Sequence, residues 1–460
     1  MVLRIFNQYI PLRKIVLVAC ESFLIFGVLR ISVEAFSGPA AGPGRVAARA
    51  VLIACLIQVT LYYYELYDLK IFRTRWELLT RLPQALGAST IVLALVYFLC
   101  PELMIGRGIF IFSLPLIAVA ALAWRTAYMG FLRASDFDLN VLIIGTGPLA
   151  RSIASEILNR ADSGFKVAGF VSGDGNMIGR SIVNPRVLGG FDRIEELSSL
   201  HRINRIVVAA EERRNVYPVQ QLLECKMKGI PVEDGIEFYE HLTGKIKIED
   251  LHPSALIFSE GFRRNRLAAA AKRAIELVLS LGLLLLLFPL LLAVALIIRA
   301  DSPGPVLYRQ LRVGKGGKSF ELLKFRTMVR DAEKDGPVWA AVGDARITRA
   351  GKRLRESRID EIPQLINVIR GDMSFVGPRP ERPDFTGMLA AKIPYYEQRF
   401  RVRPGVTGWA QVRYRYGASV EDAAEKLRYD LYYIKNLSFS FDLYIIFETL
   451  KIVLFGKGAR

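Results

Sequence analysis

The chain is poor in cysteine and histidine, with four of one and three of the other in 460 residues. Cys20, Cys55, Cys100 and Cys225 form no C-x-x-C pair, and the first three fall in apolar runs. Neither a disulfide framework nor a zinc site is implied. Small buried hydrophobes account for them. Acidic residues are outnumbered, 44 Asp and Glu against 62 Lys and Arg, giving a formal net charge of +18. That excess draws the chain toward polyanions. Zinc-finger spacing and a helix-turn-helix pattern are both lacking, which sets nucleic acid aside as a partner. Anionic lipid and phosphate-bearing small molecules remain. No small-residue cleavage site follows the first apolar run, which reads as an anchor and not as a removable leader.

What the chain has is apolar length, unevenly placed. Hydrophobic residues make up 52%. Four runs, about Ile15–Phe36, Ala47–Tyr64, Leu82–Leu99 and Gly108–Met129, approach the ~20 residues that a helix needs to cross a bilayer. Tyr62, Tyr63, Tyr64 and Tyr67 close the second run as an interfacial belt would. Arg4, Arg13 and Lys14 precede the first run. Lys70, Arg73, Arg75 and Arg81 separate the second and third, and Arg133 follows the fourth. The loop between the third and fourth carries only Arg107, although Arg45 and Arg49 weaken the contrast. By the positive-inside rule both ends of this four-helix unit face the cytoplasm.

A fifth run, Leu277–Ile298, is 22 residues without a charge. Lys272 and Arg273 precede it and Arg299 follows. Pro289, near its middle, lacks an amide proton and clashes with the carbonyl of Leu285. Basic flanks on both sides predict a re-entrant helix-break-helix, about residues 274–299, that enters and leaves on the cytoplasmic side. A spanning helix with an ordinary proline kink is the alternative.

Residues 139–260 alternate strand and helix patterns. Strands are expected at Leu139–Ile144, Lys166–Val171, Arg205–Ala209 and Ile230–Glu233. Helices are expected at Leu149–Leu158, Arg193–Leu200 and Tyr217–Lys228. This predicts a parallel α/β sheet. Gly145-Thr-Gly147-Pro-Leu-Ala150 resembles a dinucleotide-binding turn, in which glycine lets backbone approach a pyrophosphate. No acidic residue stands clearly at the end of the second strand, and Tyr-x-x-x-Lys is missing. A Rossmann-like scaffold that needs a tight turn explains Gly145 and Gly147 as well as nucleotide binding does.

From Arg299 to Arg358 there are 15 basic and 7 acidic residues with aromatics between them, a surface suited to anionic lipid. Asp360 and Glu361 follow, just before Pro363 and the helically spaced Ile362, Leu365, Ile366 and Ile369. The first turn of a helix favours negative charge, so capping alone could place them there. Arg355, Arg379, Lys324, Arg326, Arg346 and Arg403 lie in neighbouring segments. Two carboxylates among cations suit phosphoryl transfer. A carboxylate can attack phosphorus, arginine can stabilise the phosphoryl group, and a divalent metal can bridge carboxylate and diphosphate.

At these residues the chain resembles the bacterial sugar transferases, polyprenyl-phosphate glycosyl-1-phosphate transferases with a re-entrant catalytic membrane helix. The resemblance runs through Gln310-Leu-Arg312-Val-Gly314, Phe320, Lys324-Phe-Arg326-Thr-Met328, Asp344-Ala-Arg346-Ile-Thr348 and Leu354-Arg355. It continues through Asp360-Glu361-Ile-Pro363-Gln-Leu365, Gly371-Asp-Met-Ser374-Phe-Val-Gly377-Pro-Arg379-Pro380 and Arg403-Pro-Gly405-Val-Thr407-Gly-Trp409-Ala-Gln411. It implies a long form of the exopolysaccharide-associated branch. Such a chain has a four-helix membrane domain (1–135), a Rossmann-like domain (136–262) and a mostly α catalytic domain (263–460).

The resemblance further implies that Asp360 is the nucleophile and Glu361 its assistant, with Mg²⁺ held by the pair. Arg355 and Arg379 would hold phosphate, and Lys324, Arg326, Arg346, Arg403 and Gln411 would complete phosphate and nucleotide binding. The substrates would be a UDP-sugar and polyprenyl (undecaprenyl) phosphate. The site would lie on the cytoplasmic face of a bacterial inner membrane, in a homodimer. Where the family often reads Ser-Pro at the helix break, this chain has Phe288-Pro289. Two competing readings stand beside this one. A nucleotide-sugar dehydratase or epimerase lacks its Tyr-x-x-x-Lys, and a non-enzymatic polysaccharide assembly protein leaves Asp360 and Glu361 idle.

Overall fold

The computed structural model describes residues 2–37, 43–68, 75–104, 107–134, 137–160, 162–209, 218–250, 261, 266–329, 332, 344–414, 417 and 419–455. The expected features at Lys70, Arg73 and Tyr217 lie outside the described residues. The chain divides into two compact units, Met1–Phe238 and Tyr239–Arg460.

The first unit opens with a hairpin that the sequence reading did not anticipate. Strands β1 (Val2–Ile5) and β2 (Gln8–Pro11) pair antiparallel across Phe6 and Asn7. The apolar runs then form α1 (Leu12–Ser37), α2 (Pro43–Tyr63), α3 (Arg75–Leu99) and α4 (Arg107–Ala134), close to the expected spans. Leu17, Ile25, Ile53, Leu61, Leu82, Leu93 and Ile117 build their shared core. Phe23, Ile91 and Phe98 stay exposed, an outward apolar face that a bilayer would cover. By length and composition α1, α3 and α4 can each cross a membrane, while the apolar stretch Ala47–Tyr63 of α2 is shorter. One ion pair is sealed inside the bundle. Arg125 on α4 donates through Nε and Nη2 to both oxygens of Glu21 on α1, each at 2.7 Å. Breaking such a buried pair costs about 3–5 kcal/mol.

The same unit carries a five-stranded parallel sheet. Its strands are β3 (Leu139–Ile144), β4 (Phe165–Val171), β5 (Val187–Gly189), β6 (Arg205–Val208) and β7 (Val232–Asp234), in the order β5-β4-β3-β6-β7. Helices α5 (Pro148–Asn159), α6 (Ile194–Leu200) and α7 (Val219–Met227) connect them. Four strands stand where the alternation predicts them. The short β5 was not foreseen, since three residues are too few to show a period. The hairpin is fastened to this sheet. Tyr9 hydrogen-bonds Glu233, Arg205 donates to the Tyr9 hydroxyl at 2.8 Å, and Arg13 pairs with Asp138 at 2.9 Å.

Helix α8 (Gly235–Thr243) leads into the second unit. There Trp409 Nε1 donates to the Gly244 carbonyl (2.7 Å), Lys245 pairs with Glu425 (2.7 Å) and Lys435 with Glu240 (2.7 Å). Helix α9 (Arg266–Asp301) follows, 36 residues long, apolar and long enough to cross a membrane. It continues through Pro289 without the expected interruption. A proline removes one hydrogen bond and kinks a helix, but need not end it. The hairpin β8 (Leu307–Val313) and β9 (Ser319–Phe325) comes next, then α10 (Arg349–Glu356) and α11 (Gln364–Arg370). Strand β10 (Ser374–Val376), α12 (Pro383–Lys392), β11 (Gly405–Thr407), α13 (Trp409–Arg413), α14 (Val420–Lys435) and α15 (Phe439–Phe455) complete the unit.

Candidate active site

Asp360 and Glu361 occupy a 3₁₀ turn, Ile359–Glu361, between α10 and α11. The sequence places them in the first turn of a helix. The structure inserts a separate turn because Arg358 adopts a left-handed conformation (φ 54°) and restarts the chain. The buried Asn367 then aligns α11 with β9. Its Oδ1 accepts from the Leu323 amide (3.0 Å) and its Nδ2 donates to the Glu321 carbonyl (2.7 Å). That staple brings Lys324 beside the carboxylates.

Arg379 arrives from the opposite side, on a turn fixed by its backbone. The Gly377 amide donates to Thr407 (2.9 Å), and the Gly405 amide donates to Pro378 (3.0 Å). The two strands touch so closely that a Cβ on Gly405 would lie 2.1 Å from the Gly377 nitrogen. Arg399 donates to the Arg379 carbonyl at 2.9 Å and is itself held by Asp430 at 2.9 Å.

The result is an asymmetric carboxylate pair. Glu361 is saturated with cations. Arg379 Nη2 donates to its Oε1 at 2.9 Å, Lys324 Nζ lies 3.5 Å from the same oxygen, and Arg358 Nη1 lies 3.7 Å from Oε2. Burial alone would raise its pKa, but Arg379, Lys324 and Arg358 together hold it far below the ordinary carboxylate range. Asp360 is also buried, at 8% exposure. Among the described residues its carboxylate takes no hydrogen bond. Burial, and then the charge of Glu361, push its pKa up to about 6 against the pull of Lys324, Arg355 and Arg379. Burial likewise pulls Lys324 down to about 8. Next to the pair lies a recess lined by Arg312, Leu322, Lys324, Gln364, Arg379, Pro380 and Gly405.

The expected site residues divide into groups. Lys324, Arg355 and Arg379 act electrostatically on Asp360, and Arg355 donates through Nε to Thr327 at 2.8 Å. Arg326 does not join them. Its guanidinium is turned to the end of α9, donating to the Pro303 carbonyl (2.9 Å), the Ser302 carbonyl (2.6 Å) and the Ser302 hydroxyl (2.9 Å). Arg346 makes a two-pronged pair with Asp344, at 2.8 and 2.5 Å, which draws the Asp344 carboxyl down to about 2. Arg403 precedes β11 and is half-buried, with no contact to the carboxylates among the described residues. Gln411 donates to the Val406 carbonyl at 3.3 Å, and its buried Oε1 has no partner among the described residues.

In the first unit, Gly145 takes a positive φ of 110° and Gly147 caps α5, so the turn between them does require glycine at its first position. Sequence reasoning assigned no role to Arg358, Arg312 or Gln364. Arg358 was readable as a cation three residues before Glu361, and Arg312 lies inside a quoted motif. Gln364 likewise lies inside a quoted motif, between Pro363 and Leu365.

Asp360 and Glu361 are the adjacent carboxylates of this turn. Among the described residues no group of three His, Cys, Asp or Glu side chains could hold a metal. The pair fits a hard cation such as Mg²⁺, which takes one or two carboxylates and draws its other ligands from substrate phosphate and water.

The bacterial sugar transferase family model matches residues 267–456. A UDP-N-acetylgalactosamine-undecaprenyl-phosphate N-acetylgalactosaminephosphotransferase of Aeromonas hydrophila is 43% identical over 239 residues, 52% of this chain and 56% of that protein. A UDP-glucose:undecaprenyl-phosphate glucose-1-phosphate transferase of Caulobacter vibrioides is 44% identical over 225 residues, 47% of this chain and 84% of that protein. The exopolysaccharide production protein PSS of Rhizobium leguminosarum bv. phaseoli is 45% identical over 194 residues, 41% of this chain and 97% of that protein. The matched segment holds the carboxylate pair and every cation around it, and two of these relatives are covered over more than two thirds of their length. The chain is a member of the bacterial sugar transferase family.

Proposed function

We propose that this chain transfers a sugar-1-phosphate from a UDP-sugar to polyprenyl (undecaprenyl) phosphate, with Asp360 as nucleophile, and so initiates exopolysaccharide or related glycan assembly. The observation that carries this reading is the unequal pair, a carboxylate without hydrogen bonds among the described residues beside one saturated by cations. In the first half-reaction an Asp360 oxygen attacks the phosphorus that bears the sugar. The bond between that phosphorus and the bridging oxygen breaks, and UMP leaves with the bridging oxygen. In the second, a phosphate oxygen of the lipid attacks the same phosphorus and expels Asp360. Lipid diphosphate-sugar forms and the carboxylate is restored. Arg379, Lys324 and Arg355 offset charge on the phosphoryl oxygens. Glu361 keeps Arg379 and Lys324 in place. When bound at Asp360 and Glu361, Mg²⁺ would further offset the diphosphate charge.

Helix α9 supports the membrane side of the reading. Near its start, Arg273 donates to the carbonyls at the end of α11, and near its finish Val294 and Ile298 pack on Phe325 and Leu354. Both halves thus meet the same group of elements, as a re-entrant helix bent near Pro289 would. On this reading the active site works at the cytoplasmic face of a bacterial inner membrane. The β5-β4-β3-β6-β7 order supports a Rossmann-like reading of the sheet. A homodimer remains part of the proposal by family likeness alone.

Incubating the purified full-length chain with a UDP-sugar labelled in the β-phosphate, without lipid acceptor, tests the chemistry. Label is expected on protein, and none is expected on Asp360→Asn. Full lipid-linked product from Asp360→Asn would overturn the assignment.

A further inference from the structure

The first turns of α9 carry two charged residues that the transfer chemistry does not use. Arg273 Nη1 donates to the Val368 carbonyl at 2.6 Å, and Nη2 donates to the Ile369 carbonyl at 2.9 Å. Glu276 is only 4% exposed, although Ile275 and Val278 on the same turn face outward. Its Oε1 accepts from the Ser374 hydroxyl and from the Phe375 amide at 3.3 Å. Lys272, 3.8 Å away, offsets its charge and also pairs with Asp442 at 2.8 Å.

The two arms grip different segments. Arg273 holds the tail of α11, the helix that follows directly on Asp360 and Glu361. Glu276 holds β10, which runs through Val376 and Gly377 into Arg379. One helical turn, with its side chains three residues apart on one face, therefore holds both the helix that follows Glu361 and the strand that leads into Arg379, and these two residues meet in a 2.9 Å bond.

We propose, building on the transfer reading above, that Arg273 and Glu276 are positioning residues. Together they form a clamp on the membrane helix that sets Arg379 against Glu361. The clamp acts through Arg379, so removing it matters only while Arg379 is present. A mere seat for the helix would weaken the chain independently of Arg379.

The test is a double-mutant cycle on the full-length chain, reading the rate of label transfer from a UDP-sugar labelled in the β-phosphate onto protein. Glu276→Ala is expected to slow transfer about tenfold, and Glu276→Ala with Arg379→Ala to be no slower than Arg379→Ala alone. Glu276→Gln keeps an oxygen that accepts from Ser374 and Phe375, and is expected to recover the rate to within about threefold of the parent. If Glu276→Ala does not fold, Ser374→Ala enters the same cycle, with a loss of about threefold that again vanishes without Arg379. Losses that multiply with Arg379→Ala, or a folded Glu276→Ala at the parent rate, would overturn the clamp while leaving the transfer reading intact. A parent chain that takes up no label would overturn both.

Discussion

Asp360 and Glu361 are adjacent, yet their proton affinities diverge because Arg379, Lys324 and Arg358 pair directly with Glu361, whereas at Asp360 burial outweighs the more distant pull of Lys324, Arg355 and Arg379. The consequence can be read by pH. A protonated carboxyl cannot attack phosphorus, so protein labelling is expected to fall as pH drops through about 6, where the Asp360 carboxyl titrates. Rates of label uptake between acid and neutral pH check this, and a flat profile would contradict it. Stability carries the opposite sign. The folded pKa of Asp360 is raised, so its ionised form burdens the fold wherever both states are ionised, above about 6. That burden is absent below the unfolded value of about 3.9. Asp360→Asn is therefore expected to melt higher than the parent near neutral pH, with the gain fading toward pH 4. The pair itself was legible in the sequence. Which member was free was not, because that depends on Arg358 and Arg379 approaching from two separate turns.

At the scale of elements, Arg326 shows why a basic motif residue cannot be assigned from sequence. It sits two residues after Lys324, but it exits β9 toward the end of α9. Arg326→Ala is expected to cost about 2 kcal/mol or more in denaturant unfolding, since charged hydrogen bonds to Ser302 and Pro303 are lost. The KM for the UDP-sugar is expected to stay unchanged, and a rise in KM without destabilisation would restore the phosphate-binding role. Helix α9 offers a second test. In a chain without native cysteines, Leu267→Cys and Pro305→Cys are expected to react with an impermeant thiol reagent from the same side of sealed vesicles. Reaction from opposite sides would make α9 a spanning helix. Periodicity found the long helices and four sheet strands. It missed the β8–β9 hairpin, whose strands mix Arg309, Gln310 and Arg312 with apolar residues, and whose largely exposed first strand leaves little alternation to detect.

For the whole molecule, the order of parts was readable from apolar runs and glycine turns, but not where one compact unit ends. Residues 239–250 are bound to the second unit by Trp409, Glu425 and Lys435, contacts that span some 165–195 positions of sequence and leave no local trace. The Rhizobium relative is matched over 97% of its length by 41% of this chain. A fragment of residues 239–460 is expected to take up label, while one of residues 266–460, lacking Gly244 and Lys245, is expected to melt several degrees lower. Equal melting would show those contacts to be idle.

The contact between Gly377 and Gly405 bears on how such a protein could diversify. Two backbones that leave no space for even a methyl group form a frame that substitution cannot tune, and that frame carries Arg379. A new sugar preference must then arise from side chains beyond this junction. Mutational libraries that spare both glycines should shift donor choice while keeping the shared diphosphate chemistry.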